Sequence, residues 1–169
     1  TGKYRCVVSN GGATITSNTA TLTVRETASI VAQPESVELF SGYSTTLKVS
    51  AKGYSVSYQW QKLVNDEWVD IANVTSSTYE ISSTKLSDNG EYRCIVSNGG
   101  ATVISKTATL TVRESASITI PPQNAQSYTG YYTTLSVSAS GYEVKYQWQK
   151  LIDGKWIDIV GATSSTYNI

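Results

Sequence analysis

The sequence predicts an all-β chain built as tandem sandwiches, and three observations carry that prediction. Thr, Ser, Val and Tyr dominate while proline occurs only three times, a mix that favours pleated, half-buried strands over helices. Apolar and polar residues alternate with a period of two between turn-forming residues. The chain also repeats itself at a spacing of 88 residues, which makes it an array and not a single large domain.

The repeat runs through most of the sequence. Tyr4-Arg5-Cys6 returns as Tyr92-Arg93-Cys94, and the whole segment Gly2 to Arg25 reappears as Gly90 to Arg113. The string from Tyr58 to Leu63 becomes Tyr146 to Leu151, and Thr75 to Tyr79 becomes Thr163 to Tyr167. The 169 residues fall seven short of two periods, the positions equivalent to Ser82 through Asp88. The expected organisation is one complete domain at 26–113, a two-strand piece at 1–25 and a piece at 114–169 that lacks the same two strands.

Strand positions follow from the alternation. Tyr92, Cys94 and Val96 share one face and Glu91, Arg93 and Ile95 the other. Asn98-Gly99-Gly100 then supplies residues tolerant of positive φ for a tight hairpin into a strand from about Ala101 to Val112. Upstream, Leu47, Val49 and Ala51 alternate towards a core within Thr46 to Ala51, and a strand at Val56 to Leu63 places Trp60 as core anchor. Trp68 to Ile71 and Ser77 to Ile81 complete about seven short strands per repeat, the density of a β-sandwich. No helix of useful length is signalled.

Composition excludes several functions. Thirteen basic residues balance thirteen acidic ones, so bulk charge draws the chain neither to nucleic acid nor to an anionic membrane. There is no histidine and the two cysteines lie 88 positions apart, which removes imidazole acid–base chemistry and any Cys/His metal cage. No nucleophile, acid–base pair or metal set clusters, so neither an enzyme nor a cofactor is expected. No apolar run is long enough for a spanning helix, and no membrane insertion is expected of this segment.

The motif Asp88-Asn89-Gly90-Glu91-Tyr92-Arg93-Cys94, with Trp60 upstream, resembles the strand-F signature of immunoglobulin domains. The Tyr-Gln-Trp-Gln-Lys string looks most like the immunoglobulin-like repeats of bacterial extracellular proteins. The resemblance implies tandem immunoglobulin-like Greek-key sandwiches, one complete and two partial, at an extracellular or cell-surface location. It implies a core of Trp60, Tyr92, Cys94, Val49 and Leu47, repeated as Trp148, Val137 and Leu135 and, in the first piece, Tyr4 and Cys6. Tyr92 and Tyr4 would each form a tyrosine corner, the hydroxyl bonded to nearby backbone. The family's strand-B cysteine is missing, with Val49 and Val137 in its place, so no disulfide closes the sandwich. Cys6 and Cys94 are expected as small buried hydrophobes in preference to reactive thiols.

Other candidate sites weigh against plainer readings. Tyr43, Tyr54, Tyr131 and Tyr142 follow recurring glycines and are candidate surface contacts for a host protein or a glycan, against simple turn packing. Asp66, Glu67 and Asp70 form an acidic cluster, but the second copy carries Gly154 and Lys155, which favours a solvated loop. Asn73-Val74-Thr75 fits a glycosylation acceptor that its counterpart Gly161 does not share. Lys62 and Lys150 sit where an amine would pair with a carboxylate such as Asp88, a reading preferred to an isopeptide cross-link.

Three functions remain open. The short connection from Arg113 through Glu114 to Ile118 has no flexible linker, which favours a stalk or filament whose partners are neighbouring repeats. A carbohydrate- or protein-binding module of a secreted protein is the alternative. A subunit that polymerises with copies of itself by hairpin exchange is the third.

Overall fold

A computed structural model describes residues 1–169. Packing divides the chain into two compact units, one made of Thr1–Glu35, Leu47–Tyr79 and Glu91–Ala108 and the other of Ser36–Thr46, Glu80–Gly90 and Thr109–Ile169. All regular structure is strand apart from one 3-10 turn at Leu86–Asp88.

The first strands are β1 (Gly2–Tyr4), β2 (Val7–Ser9), β3 (Thr14–Thr16) and β4 (Ala20–Leu22). They form a single antiparallel hairpin in two steps, β2 on β3 and β1 on β4. The middle of the chain carries β5 (Ser29–Ala32), β6 (Val37–Phe40), β7 (Thr45–Lys48), β8 (Ser50–Lys52), β9 (Ser57–Val64), β10 (Glu67–Asp70), β11 (Thr78–Ile81), β12 (Gly90–Asn98), β13 (Ala101–Ile104) and β14 (Ala108–Arg113). One sheet has the order β10-β9-β12-β14-β6, with β13 also paired to β12. The opposing strands pair β5 with β8 and β11 with β7. After them come β15 (Ser117–Ile120), β16 (Thr134–Ser136), β17 (Ser138–Ser140), β18 (Gln149–Ile152), β19 (Lys155–Asp158) and β20 (Thr166–Asn168). Their pairs, β15 with β17, β16 with β20 and β18 with β19, copy those of the central repeat.

Alternation explains the central core. Leu47, Val49, Trp60, Tyr92, Cys94, Val96, Leu110 and Val112 are all buried, each with polar neighbours one position away, as a strand buried on one face requires. The Trp60 indole N–H donates to the Ser76 carbonyl at 3.0 Å, so the largest buried side chain leaves no orphan donor. Tyr79 packs between Trp60 and Tyr92 with ring centroids 6.3 and 5.9 Å away. The Lys62 ammonium lies 5.4 Å from the centre of the Tyr92 ring.

Two strands lay outside the sequence expectation. β5 and β6 are separated by Gln33-Pro34-Glu35-Ser36; proline lacks the N–H a continuous ladder would need. The chain changes sheet there, β5 pairing with β8 and β6 running parallel to β14 with Val37 opposite Leu110. The single strand expected from Ala101 to Val112 is broken into β13 and β14. At the break the Ser105 hydroxyl accepts the Cys94 N–H at 2.9 Å, while the Ser105 N–H donates to the Cys94 carbonyl at 2.9 Å. The hydroxyl donates onward to the Lys106 carbonyl at 2.8 Å. Ser17 does the same for Cys6 in the first hairpin, so this kink is written into the repeat.

Several expected core residues are not buried. Tyr4 is 58% exposed and Cys6 is also exposed, because no second sheet of the chain covers that hairpin. Trp148, Leu135 and Val137 are only half-buried, since residues 114–169 contain no counterparts of β12 and β14 to close over them. Trp148 keeps its local contacts, donating to the Ser164 carbonyl at 2.9 Å and packing 6.1 Å from Tyr167.

The hairpin at Asn98 turns without the positive φ its glycines permit. The Asn98 side-chain oxygen instead accepts the N–H groups of Gly100 and Ala101 at 3.0 and 3.1 Å, a side-chain-capped turn. Gly100 is required for another reason. A Cβ there would sit 2.9 Å from the Thr27 methyl carbon.

Candidate functional site

The arrangement that recurs with most chemical detail lies where one repeat passes into the next. Strand β14 ends at Arg113, whose guanidinium lies 4.2 Å over the ring of Tyr142. The residue 88 positions earlier, Arg25, lies 3.5 Å over the ring of Tyr54. In both places the backbone closes the same way. The Tyr54 N–H donates to the Glu26 carbonyl at 3.0 Å, and the Tyr142 N–H donates to the Glu114 carbonyl at 2.9 Å.

The glycine before each tyrosine makes this closure possible. Gly53 has φ 131° and Gly141 has φ 132°, a region that other residues rarely adopt. A Cβ on Gly53 would lie 2.8 Å from the Thr27 carbonyl oxygen, and one on Gly141 would lie 2.8 Å from the Ala116 Cα. The Gly-Tyr pair therefore fixes how closely its loop approaches the segment that follows the arginine.

Each junction has further pins. Around Tyr54, the Asn98 amide nitrogen donates to the carbonyls of Glu26 and Tyr54 at 3.1 and 3.2 Å. Around Tyr142, the Arg113 Nε donates to Glu38 at 2.7 Å, which raises the guanidinium pKa further above its ordinary value. The Tyr142 phenol is raised mainly by its hydrogen bond with Glu143, against the lowering influence of Arg113. Ser115 is held to Ser41, its N–H donating to the Ser41 hydroxyl at 3.2 Å and its own hydroxyl to the Ser41 carbonyl at 2.8 Å.

This geometry divides the four tyrosines expected as surface contacts. Tyr54 and Tyr142 lie beneath arginines while remaining 52% and 40% exposed, and Tyr43 and Tyr131 stand 66% and 74% exposed. Asp66 lies in the tight β9–β10 turn, with Asn65 and Asp66 at φ 50° and 65°, and Asp70 accepts the Gln61 amide at 2.8 Å. That acidic trio does not converge on a metal-binding group. Asn73 is exposed, at φ 63°. The Asp88 carboxylate accepts the Lys85 N–H at 2.8 Å. Burial pushes the Cys94 thiol up to about 11, partly offset by a backbone hydrogen bond from Gln59, which describes a structural and unreactive cysteine.

Sequence reasoning found the Gly-Tyr pairs and read Asn98 as a turn residue, but it missed Arg25, Arg113 and the bonds from the Asn98 amide to Glu26 and Tyr54. The signal was present, because both arginines and both tyrosines recur at the repeat spacing. Nothing local, however, indicates that an arginine ending one strand reaches a tyrosine about 29 residues further on, a contact only the fold supplies.

Comparison with known proteins fits this architecture. Residues 28–98 match the immunoglobulin domain family model. The chain is 31% identical over 149 residues to mouse Hemicentin-1, which spans 83% of the chain and 3% of that protein. It is 29% identical over 161 residues to human cell adhesion molecule DSCAML1, spanning 88% of the chain and 8% of that protein. Among solved structures, the I67–I69 I-band fragment of titin superposes with a TM-score of 0.69, covering 99% of the chain and 63% of the fragment at 16% identity. The relatives are animal proteins, so the bacterial character suggested by the Tyr-Gln-Trp-Gln-Lys string is corrected. They are extracellular or cell-surface immunoglobulin proteins, in agreement with the expected location, and no helix of the chain is long and apolar enough to cross a membrane. The chain is a tandem immunoglobulin-like β-sandwich segment, and its residues 28–98 match the immunoglobulin domain family.

Proposed function

We infer that this chain is a structural segment of an extracellular stalk or filament, in which repeats bounded as 1–25, 26–113 and 114–169 hold a constant spacing. The observation that carries the reading is the recurrence of one junction, Arg25 with Glu26 and Tyr54 and then Arg113 with Glu114 and Tyr142, at the repeat spacing. A device that merely joins two domains has no need to recur in such detail, whereas a spacer does. With the longest strand, β12, nine residues long and a rise of ~3.3 Å per residue, every added repeat extends the array by roughly 30 Å plus its connecting loops. The test is to append one, two and three copies of the 88-residue repeat to the chain and measure maximum dimension by small-angle scattering. A constant increment supports the spacer. An increment that shrinks with each copy, as in a flexible string, rejects it.

A binding module is the second reading, favoured by Tyr128, Tyr131 and Tyr132, which stand well exposed on one loop. The name of DSCAML1 as a cell adhesion molecule adds weight to an adhesive contribution. Tight, selective binding of a glycan or host protein that is lost in a Tyr131→Ala, Tyr132→Ala variant would favour it over the spacer.

A further inference from the structure

Asn98-Gly99 and Asn10-Gly11 are the same turn in two surroundings. In both, the asparagine oxygen accepts the N–H groups two and three residues on, at 3.0 and 3.1 Å for Asn98 and at 2.9 and 2.9 Å for Asn10. The surrounding sequence Ser-Asn-Gly-Gly-Ala-Thr is identical. The difference lies in the amide nitrogen. That of Asn98 is held between the carbonyls of Glu26 and Tyr54, and that of Asn10 has neither contact.

We propose that Asn98-Gly99 is a self-acting modification site that unlatches the junction as it reacts. An asparagine followed by glycine is open to attack by the next backbone nitrogen, because glycine has no side chain to obstruct the approach. The Gly99 nitrogen attacks Cγ of Asn98 and loses its proton, the C–N bond to the side-chain amide breaks, and ammonia leaves. The cyclic imide is then opened by water at either carbonyl, giving aspartate or isoaspartate. The net change is asparagine plus water to aspartate plus ammonia, with no oxidant or other reagent.

The consequence follows from donor chemistry. The amide of Asn98 is a donor to two carbonyls, and the carboxylate that replaces it is an acceptor only. Two carbonyl oxygens then face an anion, which breaks both pins and repels the loop that carries Tyr54. The pins also slow the reaction, because the side chain must leave both carbonyls before Cγ can swing onto the Gly99 nitrogen. Asn10 lacks those pins and reacts first, as a control inside the same molecule. The chemistry stands apart from the spacer reading; only its effect on junction stiffness rests on that reading.

The test ages the intact chain at mildly alkaline pH and follows both sites by peptide mass mapping, which detects replacement of the amide NH2 by OH. Exchange of the Tyr54 N–H, bonded to the Glu26 carbonyl at 3.0 Å, reports on the junction. The expected result is conversion of Asn10 several-fold sooner than Asn98 in the native chain, equal rates in denaturant, and faster Tyr54 exchange in the fraction converted at Asn98. Gly99→Ala is a clean second arm, since a Cβ there meets nothing within 4 Å and its φ is ordinary. It is expected to slow conversion at Asn98 alone many-fold and to keep Tyr54 protected over the same time. Equal native rates at the two asparagines would overturn the protection. Conversion at Asn98 with Tyr54 exchange unchanged would overturn the unlatching. Either result leaves the scattering test of the spacer to stand or fall separately.

Discussion

The guanidinium of Arg113 faces two partners at once, lying 4.2 Å over the ring of Tyr142 while its Nε donates to Glu38 at 2.7 Å. Glu38 belongs to the strand that runs beside β14, and Tyr142 to the loop of the following repeat. One side chain thus ties a sheet edge to the next repeat.

Replacing Arg113 with alanine is expected to loosen that tie without unfolding the central sandwich. Scattering profiles should show a broader distribution of dimensions, while the thermal transition followed through Trp60 stays in place. The same loosening should appear in the parent chain near 1 M salt, where the screening length falls to about 3 Å, close to the 2.7 Å separation of this exposed pair. The ring contact is less sensitive, so Tyr142→Ala should add to the effect of high salt.

The two equivalent tryptophans should respond very differently to truncation. Trp60 is fully buried, and Trp60→Ala is expected to cost about 3–5 kcal/mol in urea unfolding. Trp148 is half-buried in a set of strands with one face open. Trp148→Ala should shift the main transition little.

Ser105 should matter more than an ordinary surface serine. Its hydroxyl is the acceptor of a buried backbone N–H, that of Cys94, and Ser105→Ala leaves this donor without a partner. A loss of about 1–3 kcal/mol is expected, measured by chemical denaturation. Ser17→Ala, in the exposed first hairpin, opens the Cys6 N–H to water and should have no measurable effect on the same transition.

The two thiols should separate in reactivity and in pH response. Cys6 is expected to react with a disulfide reagent in the native chain, and Cys94 only after unfolding. Burial raises the Cys94 thiol from its usual 9.0 to about 11, so the folded state holds its proton where the unfolded state has released it. The sign follows from linkage. The contribution is fully present below pH 9 and is lost progressively as pH rises towards 11. A Cys94→Ser variant should lack this alkaline decline, read from urea midpoints across the range.

The sequence made the core legible because Leu47, Val49, Trp60, Tyr92, Cys94 and Val96 obey the alternation that a one-sided strand imposes. The strand-F motif added the topology. Strands β5 and β6 were hidden because Ile30, Val37 and Leu39 are interrupted by Gln33-Pro34-Glu35, and their pairing depends on distant partners, Ala51 for one and Leu110 for the other. The kink at Ser105 was hidden for a similar reason, since a serine in a strand looks like any exposed polar residue until its hydroxyl is seen replacing a backbone acceptor. Resemblance and repeat position together place Tyr4, Cys6, Trp148, Leu135 and Val137 in a core that the chain does not close over them. Burial requires a covering sheet as well as the right residue, and pattern cannot supply one.

Val49 and Cys94 fill the heart of the central sandwich at the positions where the family pattern has two cysteines, and both are fully buried. No covalent bond spans the two sheets, so this fold is indifferent to reductant. Its melting temperature should be the same with and without a thiol in the buffer. Refolding from denaturant is expected to need no oxidant, because Cys6 and Cys94 are both free. Whatever wear such a segment meets outside the cell, scission of a cross-sheet bridge is not part of it.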